Sequence, residues 1–375
     1  MTEYDVCVVG AGIAGASVAG RLARDRSVVL IEREEHPGMH TTGRSVAIFT
    51  ETLPGVQIAP LTSASRAFFE DPPEGFSPTP LIRRRPVLQF GRTDQFDQLR
   101  QVQADLQALG NEGRWVGPDE AMAMIPILRP ANAAGAVLDT GAFDMDVDAL
   151  HQGWLRRLRG AGGVVLVSSP FEAAVRQGDR WIIRAGETEV SAAVLVNAAG
   201  AWGDEVARLA GVRPLGLEPR RRTISVLAAE GFAVDPWPMG VDADNSLYFK
   251  PDAGRLLVSA MDQTPSPPCD AFADDMDVAE ALDRFEQVAT LPVRKPLRTW
   301  AGLRTFAPDN EPVAGYDAEA PDFFWLVGQG GAGIQTSPAL SETAAALVRR
   351  EPVPSRHAAF GVSANALSPS RFGAA

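Results

Sequence analysis

The amino-acid sequence predicts an α/β protein with two domains, one of which is discontinuous along the chain. Three observations lead to this fold class. A short apolar segment near the N-terminus runs into a glycine-rich turn and a helical pattern, a second unit of this kind lies near the C-terminus, and alternating patterns lie between them. Apolar strand–turn–helix units are typical of parallel sheets, whereas alternation is typical of antiparallel strands with one covered face.

Length and composition are consistent with two soluble domains. The chain has 375 residues, more than one hydrophobic core usually serves, and is 45% hydrophobic and 22% charged. Its net charge of −12 argues against a surface for nucleic acid. We see no apolar run of membrane-spanning length and no cationic leader before the first predicted strand, so we expect a cytoplasmic protein without a membrane span.

Cysteine and histidine usage predicts neither a disulfide framework nor a metal site. Cys7 lies within the first apolar run, which predicts a small core residue, and Cys269 follows Ser-Pro-Pro, which predicts a loop. The four histidines form no cluster in the sequence. We therefore expect no bound metal.

The first unit consists of a strand over residues 6–9, a G-x-G-x-x-G turn and a helix over residues 16–23. The first glycine permits the tight turn, the second lets a pyrophosphate approach the backbone, and the third lets the helix pack against the strand. The free N–H groups of the helix then face the phosphates. The expected cofactor contacts here are Gly10, Gly12, Ile13, Ala14 and Gly15.

A second apolar strand, over residues 27–32, ends in an acidic side chain, Glu32. A carboxylate at this point accepts hydrogen bonds from a ribose diol. Strand, glycine turn, helix, strand and acid in this order predict a Rossmann-like dinucleotide-binding domain. The alternative is an accidental run of glycines followed by an exposed glutamate.

The turn alone does not distinguish FAD from NAD, but the segment after Glu32 favours FAD. A nicotinamide enzyme would normally continue with a plain β–α–β repeat, whereas a polar, glycine-containing loop follows here. Such a loop suits the additional pyrophosphate and isoalloxazine contacts of a flavin, and a polar surface loop is the alternative. The expected contacts are Arg33, Thr41, Thr42, Gly43, Arg44, Ser45 and Ala47.

Two further units carry small residues after a strand. A strand over 193–196 leads through a turn into a helix over 204–210, and a strand over 324–327 leads through a glycine-rich turn into a helix over 334–349. Small residues let backbone approach a cofactor, and the last helix could direct its positive end towards the flavin. Close strand–helix packing is the alternative for the first unit. The expected contacts are Ala199, Gly200, Trp202, Gly330, Gly331, Gly333, Ile334 and Gln335.

The remaining segments predict an α+β block. Residues 81–92 and 220–262 alternate like strands, and residues 95–109 and 274–287 read as amphipathic helices. We expect a substrate-binding domain with a mixed or antiparallel sheet. The predicted division is 1–80, 145–215 and 305–365 for the FAD-binding domain, and 81–144 and 216–304 for the second domain.

The chain returns to the first domain through a predicted helix over residues 148–159. Asp148 is a plausible N-cap for it, since its side chain can accept a hydrogen bond from a free backbone N–H.

Nine short stretches resemble the FAD-dependent D-amino acid oxidase superfamily, which includes glycine and sarcosine oxidases, and within it the bacterial D-arginine dehydrogenases. They are GAGIAGAS, TGRS, SRAFF, DALHQG, VLVNAAGAW, AGVRPLGL, YFKPDAG, WAGLR and GIQTS, and they run in this order from residue 10 to residue 337. The resemblance implies an FAD domain assembled from separate segments and a substrate domain whose sheet covers the flavin. It also implies a flavin contact at Phe171.

The resemblance implies that Arg222, Tyr248 and Arg304 hold the substrate carboxylate. An arginine fork suits this role because it donates two parallel hydrogen bonds. Gly331 would offer its carbonyl to the substrate amine, and Gln335 would lie near the flavin ring. The alternatives are a solvated basic edge for the arginine run and a core aromatic for Tyr248.

The predicted side-chain pocket departs from the D-arginine dehydrogenases. Ile48, Leu53 and Val87 replace a His, a Tyr and a Glu of that group. Met239 and Val241 match its apolar pocket positions, and Thr50 is the remaining residue of the predicted pocket. The pocket is therefore less polar, and a buried guanidinium without a carboxylate partner would be costly. If the strand were shifted by one residue, Arg83 or Arg85 would face the pocket and acidic substrates would be preferred.

The function implied is FAD-dependent oxidative deamination of D-amino acids with neutral or apolar side chains. Hydride passes from Cα to flavin N5, and water hydrolyses the imino acid to a 2-oxo acid and ammonia. One alternative is an enzyme of secondary amines, such as N-methyl or imino amino acids, and another is a non-catalytic flavin-binding protein. The electron acceptor, whether a quinone, a dye-like acceptor or oxygen, stays open.

We expect FAD to be bound without a covalent bond. Related sarcosine oxidases attach the flavin through a cysteine, and WAGLR and its neighbours contain none.

Overall fold

The computed structural model describes residues 1–53 and 55–373. The strands are β1 (Thr2–Val9), β2 (Val28–Ile31), β3 (Ile48–Phe49), β4 (Ile82–Arg84), β5 (Val87–Gly91), β6 (Arg114–Val116), β7 (Gly135–Asp139), β8 (Phe143–Met145), β9 (Val164–Leu166), β10 (Phe171–Gln177), β11 (Arg180–Ala185), β12 (Thr188–Asn197), β13 (Glu218–Ala228), β14 (Met239–Asp242), β15 (Tyr248–Asp252), β16 (Arg255–Ser259), β17 (Thr264–Pro265), β18 (Arg298–Phe306), β19 (Val313–Tyr316) and β20 (Phe323–Val327).

The helices are α1 (Ile13–Leu22), α2 (Ile58–Glu70), α3 (Phe96–Ala108), α4 (Pro118–Met124), α5 (Val147–Gly160), α6 (Gly203–Leu209), α7 (Asp275–Val288), α8 (Gly333–Val348), α9 (Ser355–Ala358) and α10 (Ala364–Leu367). Short 3₁₀ turns occur at Thr93–Gln95, Pro130–Asn132, Gly200–Trp202 and Pro369–Phe372. None of the helices in the described ranges is both long enough and apolar enough to cross a membrane.

The first sheet is built around five parallel strands in the order β9-β2-β1-β12-β20. The antiparallel pair β10 and β11 extends it beside β12, and β19 pairs antiparallel with β20. Strand order reverses direction between β1 and β12, which is where open α/β sheets bind ligands. The predicted Rossmann-like fold class is confirmed.

Residues of β1 alternate between two cores on opposite faces of this sheet. Val6 and Val8 pack with α1, α5 and α8 on one face, while Cys7 and Val9 pack with β10, β11 and α6 on the other. Because both faces are covered there, residues 6–9 of β1 and all of β2 are apolar and buried, as expected for parallel strands. Cys7 is fully buried, and burial raises the pKa of its thiol.

The glycine turn between β1 and α1 leaves no room for side chains. Gly10 has φ +97°, and a Cβ there would lie 2.6 Å from the Ala198 carbonyl oxygen. A Cβ on Gly15 would lie only 1.8 Å from the carbonyl oxygen of Gly10, since α1 begins directly against the turn. The turn and helix therefore pack backbone against backbone, which is the geometry that the glycine spacing predicts.

Within the described ranges, the second sheet has nine strands: eight in the order β17-β13-β16-β15-β14-β5-β7-β6, and β18 paired along β13. All its pairs are antiparallel except β5 with β14. Helices α3, α4 and α7 lie over it, with α4 and α7 packing on one face through residues such as Phe249 and Phe285. The opposite face carries Met239 and Tyr248 and is turned towards the first sheet.

A small third sheet and a buried lysine connect the two large ones. Strands β3, β8 and β4 form this sheet. Lys250 of β15 donates to the Val46 carbonyl oxygen at 2.8 Å and pairs with Asp144 of β8 at 2.9 Å. The face of the second sheet is thus fixed to the loop that follows β2. We propose the two-domain division given above on the basis of which segments supply each large sheet.

The N-cap of α5 is Asp146, two residues before the predicted Asp148. The Asp146 side chain accepts a hydrogen bond from the Ala149 N–H at 2.9 Å, and Asp148 lies in the first turn of the helix. The helix starts earlier because β8 ends at Met145 and leaves Asp146 extended. Both positions place a negative charge near the helix N-terminus, where it is favourable.

Candidate active site

A continuous cavity runs between the two large sheets. At one end it is lined by the residues that follow β1, β2 and β12, and at the other by Arg222, Tyr248 and Arg304 of the second sheet. The glycine-rich turn before α8 lies along it. The cavity therefore combines a dinucleotide-binding switch point with the face of a separate sheet.

The glycine turn is held by side chains from the segments that follow β2. Glu32 is buried, and its two carboxylate oxygens accept the N–H groups of Ala11 at 2.8 Å and Glu34 at 3.0 Å. Thr42 accepts the N–H of Ile13 at 2.9 Å through its hydroxyl oxygen. A carboxylate has about four acceptor positions, so Glu32 retains acceptor capacity for a ribose diol.

Glu32→Ala is expected to weaken FAD retention by about 1.5–3 kcal/mol, the value of a hydrogen bond to a charged group. Glu32→Gln should lose less, because its amide oxygen still accepts one backbone N–H. The dissociation constant of FAD, measured by the fluorescence of released flavin, checks both variants. If both hold FAD as tightly as the parent protein, Glu32 does not bind the ribose.

An aromatic and cationic wall lies beyond Glu32. The guanidinium of Arg33 stands 4.9 Å from the ring centroid of Trp202, and the ring of His40 lies 4.7 Å from the same residue. Phe171 lines the cavity nearby. A wall of this kind suits the flat, electron-rich adenine base.

The polar loop of residues 41–45 joins the two sheets as well as lining the cavity. Thr41 donates its hydroxyl to the Leu303 carbonyl oxygen at 2.6 Å. The Arg44 guanidinium donates to the carbonyl oxygens of Ala271 at 2.7 Å and Ala301 at 3.0 Å, and pairs with Asp270. Arg44 therefore ties this loop to β18 of the second sheet and to the segment between β17 and α7.

Two of the buried polar groups along the cavity that lack partners in the part of the chain that the structure describes belong to β18 and to the turn before α8. They are the Thr305 hydroxyl and the Gln329 amide nitrogen, and both residues line the cavity. Buried polar groups are normally hydrogen-bonded, so these two call for a polar ligand. The hydroxyls, phosphates and ring carbonyls of FAD supply such groups, and the residues present fit this cofactor.

At the other end of the cavity, Arg222 is held by backbone. Its Nε donates to the Asp262 carbonyl oxygen at 2.8 Å and its Nη2 to the Met261 carbonyl oxygen at 3.0 Å. The side chain is 5% exposed, and its Nη1 has no partner among the described residues. The nearest carboxylate oxygen, of Asp262, lies 3.8 Å from Nε.

The positive charge of Arg304 has fewer neutralising partners than that of Arg222. Among the described residues it forms no ion pair within 4.0 Å. Burial lowers the pKa of Arg304 to about 10, and the like charge of Arg222 contributes a smaller part of this shift. Arg304 therefore stays cationic at neutral pH. With the buried Tyr248 beside the same cavity, the two guanidinium groups form a site for an anion.

Gly331 lies directly against the Arg304 guanidinium. A Cβ at Gly331 would be 3.2 Å from Arg304 Nη1, so a glycine at this position leaves the guanidinium its room. This glycine belongs to the turn that leads into α8. The turn therefore brings backbone, rather than a side chain, to the anion site.

An apolar wall surrounds the anion site. Ile48, Leu53 and Met239 line the cavity, and Val87 and Val241 pack in the same cluster without lining it. Leu88 and Phe90 lie in the core on the opposite face of the sheet, so β5 has the predicted register. Neither Arg83 nor Arg85 lines the cavity, and Arg85 pairs with Asp144 at 2.7 Å.

Most of the predicted site residues line this one cavity. Those that do are Gly10, Gly12, Ile13, Ala14, Glu32, Arg33, Thr41, Thr42, Arg44, Ser45, Ala47, Ile48, Leu53, Phe171, Ala199, Gly200, Trp202, Arg222, Met239, Tyr248, Arg304, Gly330, Gly331, Gly333, Ile334 and Gln335. Those that do not are Gly15, Gly43, Thr50, Val87 and Val241. Thr50 lies behind the residues that line the cavity. Its N–H donates to the Gln335 side-chain oxygen, and its carbonyl oxygen accepts from the Gln335 side-chain nitrogen.

The cavity also contains residues that sequence analysis missed. Ile224 and Met261 add to the apolar wall, and Thr305 and Gln329 add polar groups. Ile224 follows Arg222 by two positions on a strand, so alternation could have indicated it. Met261 carries no local signal.

The fold and the cavity define a flavin-dependent oxidoreductase of the dinucleotide-binding class. Residues 5–347 match the model of the FAD dependent oxidoreductase family known as DAO, and the chain belongs to that family. The predicted FAD cofactor and the predicted FAD-dependent oxidoreductase activity are thereby confirmed.

Three similar proteins are named for the oxidation of glycine, 4-methylaminobutanoate or iminodiacetate. Glycine oxidase of Geobacillus kaustophilus is 25% identical over 93% of this chain and 94% of its own, and its crystal structure gives a TM-score of 0.81. The 4-methylaminobutanoate oxidase of Paenarthrobacter nicotinovorans is 24% identical over 91% of this chain and 43% of its own. Iminodiacetate oxidase from Chelativorans sp. BNC1 gives a TM-score of 0.80 at 22% identity, with 97% and 98% covered. These comparisons support the superfamily; none of the three relatives is named for D-arginine.

Neither cysteine lines the cavity. Cys7 is buried in β1, and Cys269 is half-buried in the segment between β17 and α7. Acid precipitation of the holoprotein is therefore expected to release all the flavin into the supernatant. Colour that stays in the pellet would contradict non-covalent binding.

Proposed function

We propose that this protein oxidises the C–N bond of a small amino acid whose amine is secondary, that is, an N-alkyl or cyclic imino acid. The observation that carries the proposal is the anion site formed by Arg222, Arg304 and Tyr248 in a cavity that fits FAD. A buried Arg222 and a half-buried Arg304, with the nearest carboxylate oxygen 3.8 Å from Arg222, are unfavourable until an anion neutralises them. The carboxylate of an amino acid is such an anion.

The residues of this chain bind and orient the substrate. Arg222 and Arg304 donate to its carboxylate, and the Tyr248 hydroxyl adds a third donor. The carbonyl group of Gly331 accepts a hydrogen bond from the amine. This leaves the carbon that bears the nitrogen fixed in one orientation, which accelerates the reaction by removing the entropy of alignment. FAD, when bound, takes up the two electrons and the hydrogen lost from this carbon.

The apolar wall excludes water and sets the side chain accepted. Ile48, Leu53 and Met239 offer burial at about 25 cal/mol per Å² and no polar partner. Among the described residues, the acidic side chains that line the cavity are Glu32 and Glu205, both at its dinucleotide-binding end. A cationic substrate side chain would therefore remain unpaired, and basic amino acids are expected to be poor substrates.

Two considerations favour secondary amines over primary D-amino acids. The relatives named for methylamino and iminodiacetate substrates act on nitrogen that carries two carbon groups. The apolar wall at Ile224 and Met261 suits an N-alkyl group or a ring as well as a side chain. Neutral D-amino acids are the second candidate, because the same anion site and the same wall would accept them.

A substrate panel tests the choice. The holoprotein is assayed with an artificial dye acceptor on sarcosine, L-proline, D-proline and iminodiacetate, and on glycine, D-leucine, D-methionine and D-arginine. We expect the highest kcat/KM among the first four and the lowest for D-arginine. A D-amino acid with a primary amine at the top of the series would replace the proposal with the second candidate. Preference for D-arginine would contradict the apolar pocket itself.

A further inference from the structure

The segment that holds Arg222 is an irregularity in the second sheet. β13 pairs with β16 at Ser225 and Val258, and with β17 at Arg221 and Thr264. Between these pairs β13 advances four residues while the opposite chain advances six. The two additional residues form a bulge, a feature that often redirects a side chain beside an active site.

The bulge presents carbonyl oxygens to Arg222. Met261 has φ +54°, a left-handed conformation that a non-glycine residue adopts at some energetic cost. In this conformation the carbonyl oxygens of Met261 and Asp262 accept Nη2 and Nε of Arg222, at 3.0 and 2.8 Å. The guanidinium plane is therefore fixed by backbone, and Nη1 is the nitrogen left without a partner among the described residues.

The Asp262 side chain fastens the bulge back to β13. Both carboxylate oxygens lie 2.9 Å from the N–H of Thr223, the neighbour of Arg222. The side chain is 5% exposed. A closed ring results, in which the carboxylate of residue 262 accepts from residue 223 and its carbonyl accepts from residue 222. A buried charge-assisted hydrogen bond of this kind resists displacement of the segment.

The charged groups around Asp262 come from three elements, and one of them is Arg304 of β18, on which the Asp262 charge partly offsets the lowering of the pKa. Arg222 of β13 lies on one side at 3.8 Å, and Asp277 of α7 lies on the other, where it accepts Arg221 Nε at 2.9 Å and the Thr223 hydroxyl at 3.2 Å. Asp277 thus serves Arg221 and Asp262 serves Arg222, on opposite faces of the same strand.

We propose that Asp262 is a positioning residue for substrate recognition: it fastens the 261–262 bulge that orients Arg222, and so determines how well the site binds a carboxylate. The inference rests on the proposed function, because it assigns Asp262 to the same anion site. It requires no contact between Asp262 and the substrate.

The test compares Asp262→Ala and Asp262→Asn with a matched control, Asp277→Asn. Pyrrole-2-carboxylate is titrated into each oxidised holoprotein and its binding is read from the change in flavin absorbance, with pyrrole as the probe that lacks a carboxylate. We expect Asp262→Ala to raise the dissociation constant of pyrrole-2-carboxylate about tenfold or more. Asp262→Asn should raise it less, because the amide oxygen still accepts the Thr223 N–H. Asp277→Asn should stay within about twofold, and FAD content should be unchanged in all three.

Steady-state kinetics distinguish a positioning role from a merely structural one, because a positioning role changes KM more than kcat. With the best amino acid substrate, KM should rise in Asp262→Asn while kcat falls little. Binding of pyrrole-2-carboxylate by the parent with unchanged affinity in both Asp262 variants would overturn the inference and leave the proposed function intact. A parent protein that binds no carboxylate would overturn the proposed function and the inference together. If Asp262→Ala fails to fold, Asp262→Asn decides alone, since it preserves shape and one hydrogen bond.

Discussion

Arg304→Met is expected to lower kcat/KM for amino acid substrates at least a hundredfold. Arg304 lies half-buried in the wall of the cavity, forms no ion pair within 4.0 Å among the described residues, and faces the like charge of Arg222. Methionine fills similar volume without charge, so a substrate carboxylate would be desolvated with one of its two guanidinium partners missing. Leaving a buried charge uncompensated costs about 3–5 kcal/mol, which corresponds to a hundredfold or more.

A compound without a carboxylate separates recognition from structure. L-Proline and pyrrolidine differ by that group alone, and Arg304→Met should affect pyrrolidine far less. Arg298 lies on the same strand, is exposed, and serves as the control, so Arg298→Met should leave both rates unchanged. Equal losses for proline and pyrrolidine in Arg304→Met would mean that the arginine supports the fold rather than the substrate.

Arg222→Met should lower kcat/KM by a similar factor, and it should also destabilise the fold. Removing Arg222 leaves the carboxylate of Asp262 without its nearest cation and two carbonyl oxygens of the bulge without donors. We therefore expect a lower melting temperature in Arg222→Met than in Arg304→Met, measurable by thermal denaturation of the two holoproteins. Arg304→Met is the cleaner probe of the anion site.

Gly15→Ala is expected to abolish FAD binding. The added Cβ would lie 1.8 Å from the carbonyl oxygen of Gly10, so α1 must move away from the turn that faces the pyrophosphate. The two closest atoms, the oxygen and carbon of the Gly10 carbonyl group, belong to the backbone and cannot rotate aside. The purified variant should be colourless and should bind added FAD at least a hundredfold more weakly, roughly 2.7 kcal/mol or more.

Gly160→Ala provides the control for that substitution. Gly160 ends α5 in an exposed position, and a Cβ there meets nothing within 4 Å. It should bind FAD as the parent does, and its stability should rise by about 0.5–1 kcal/mol because alanine loses less backbone entropy than glycine. FAD binding by Gly15→Ala at parental affinity would show that the turn tolerates a wider spacing than the structure implies.

Local signals predicted the dinucleotide-binding part of the fold well. The glycine spacing between β1 and α1 and the acid at the end of β2 are short-range features, and the structure places Gly10, Gly12 and Glu32 around one end of the cavity. Boundaries were less accurate. β12 begins at Thr188 rather than residue 193, because its first half pairs with β11 as an antiparallel hairpin that apolar periodicity does not reveal.

The substrate-binding end of the cavity is assembled by pairing of strands that lie far apart in the sequence. Its residues were therefore predicted only through the resemblance to a known family. Arg222 and Arg304 are brought together by the β13–β18 register, in which Arg222 lies opposite Gly302 and Arg220 opposite Arg304. Of the three consecutive arginines, Arg221 points the other way, towards Asp277. Nothing in the sequence near Asp262 signals the bulge. The bulge arises because the chain opposite β13 uses six residues where β13 uses four, and these two segments are far apart in the sequence.

The central claim is that a carboxylate held by Arg222 and Arg304 places an amine for oxidation by FAD. It is tested most directly by mixing the oxidised holoprotein with substrate in the absence of oxygen and following flavin absorbance. We expect at least one secondary-amine acid, such as sarcosine or L-proline, to bleach the flavin rapidly. The matching amines without a carboxylate, dimethylamine and pyrrolidine, should bleach it at least a hundredfold more slowly. Equal rates for acid and amine, or no bleaching by any amino acid in a protein whose flavin dithionite reduces, would contradict the account.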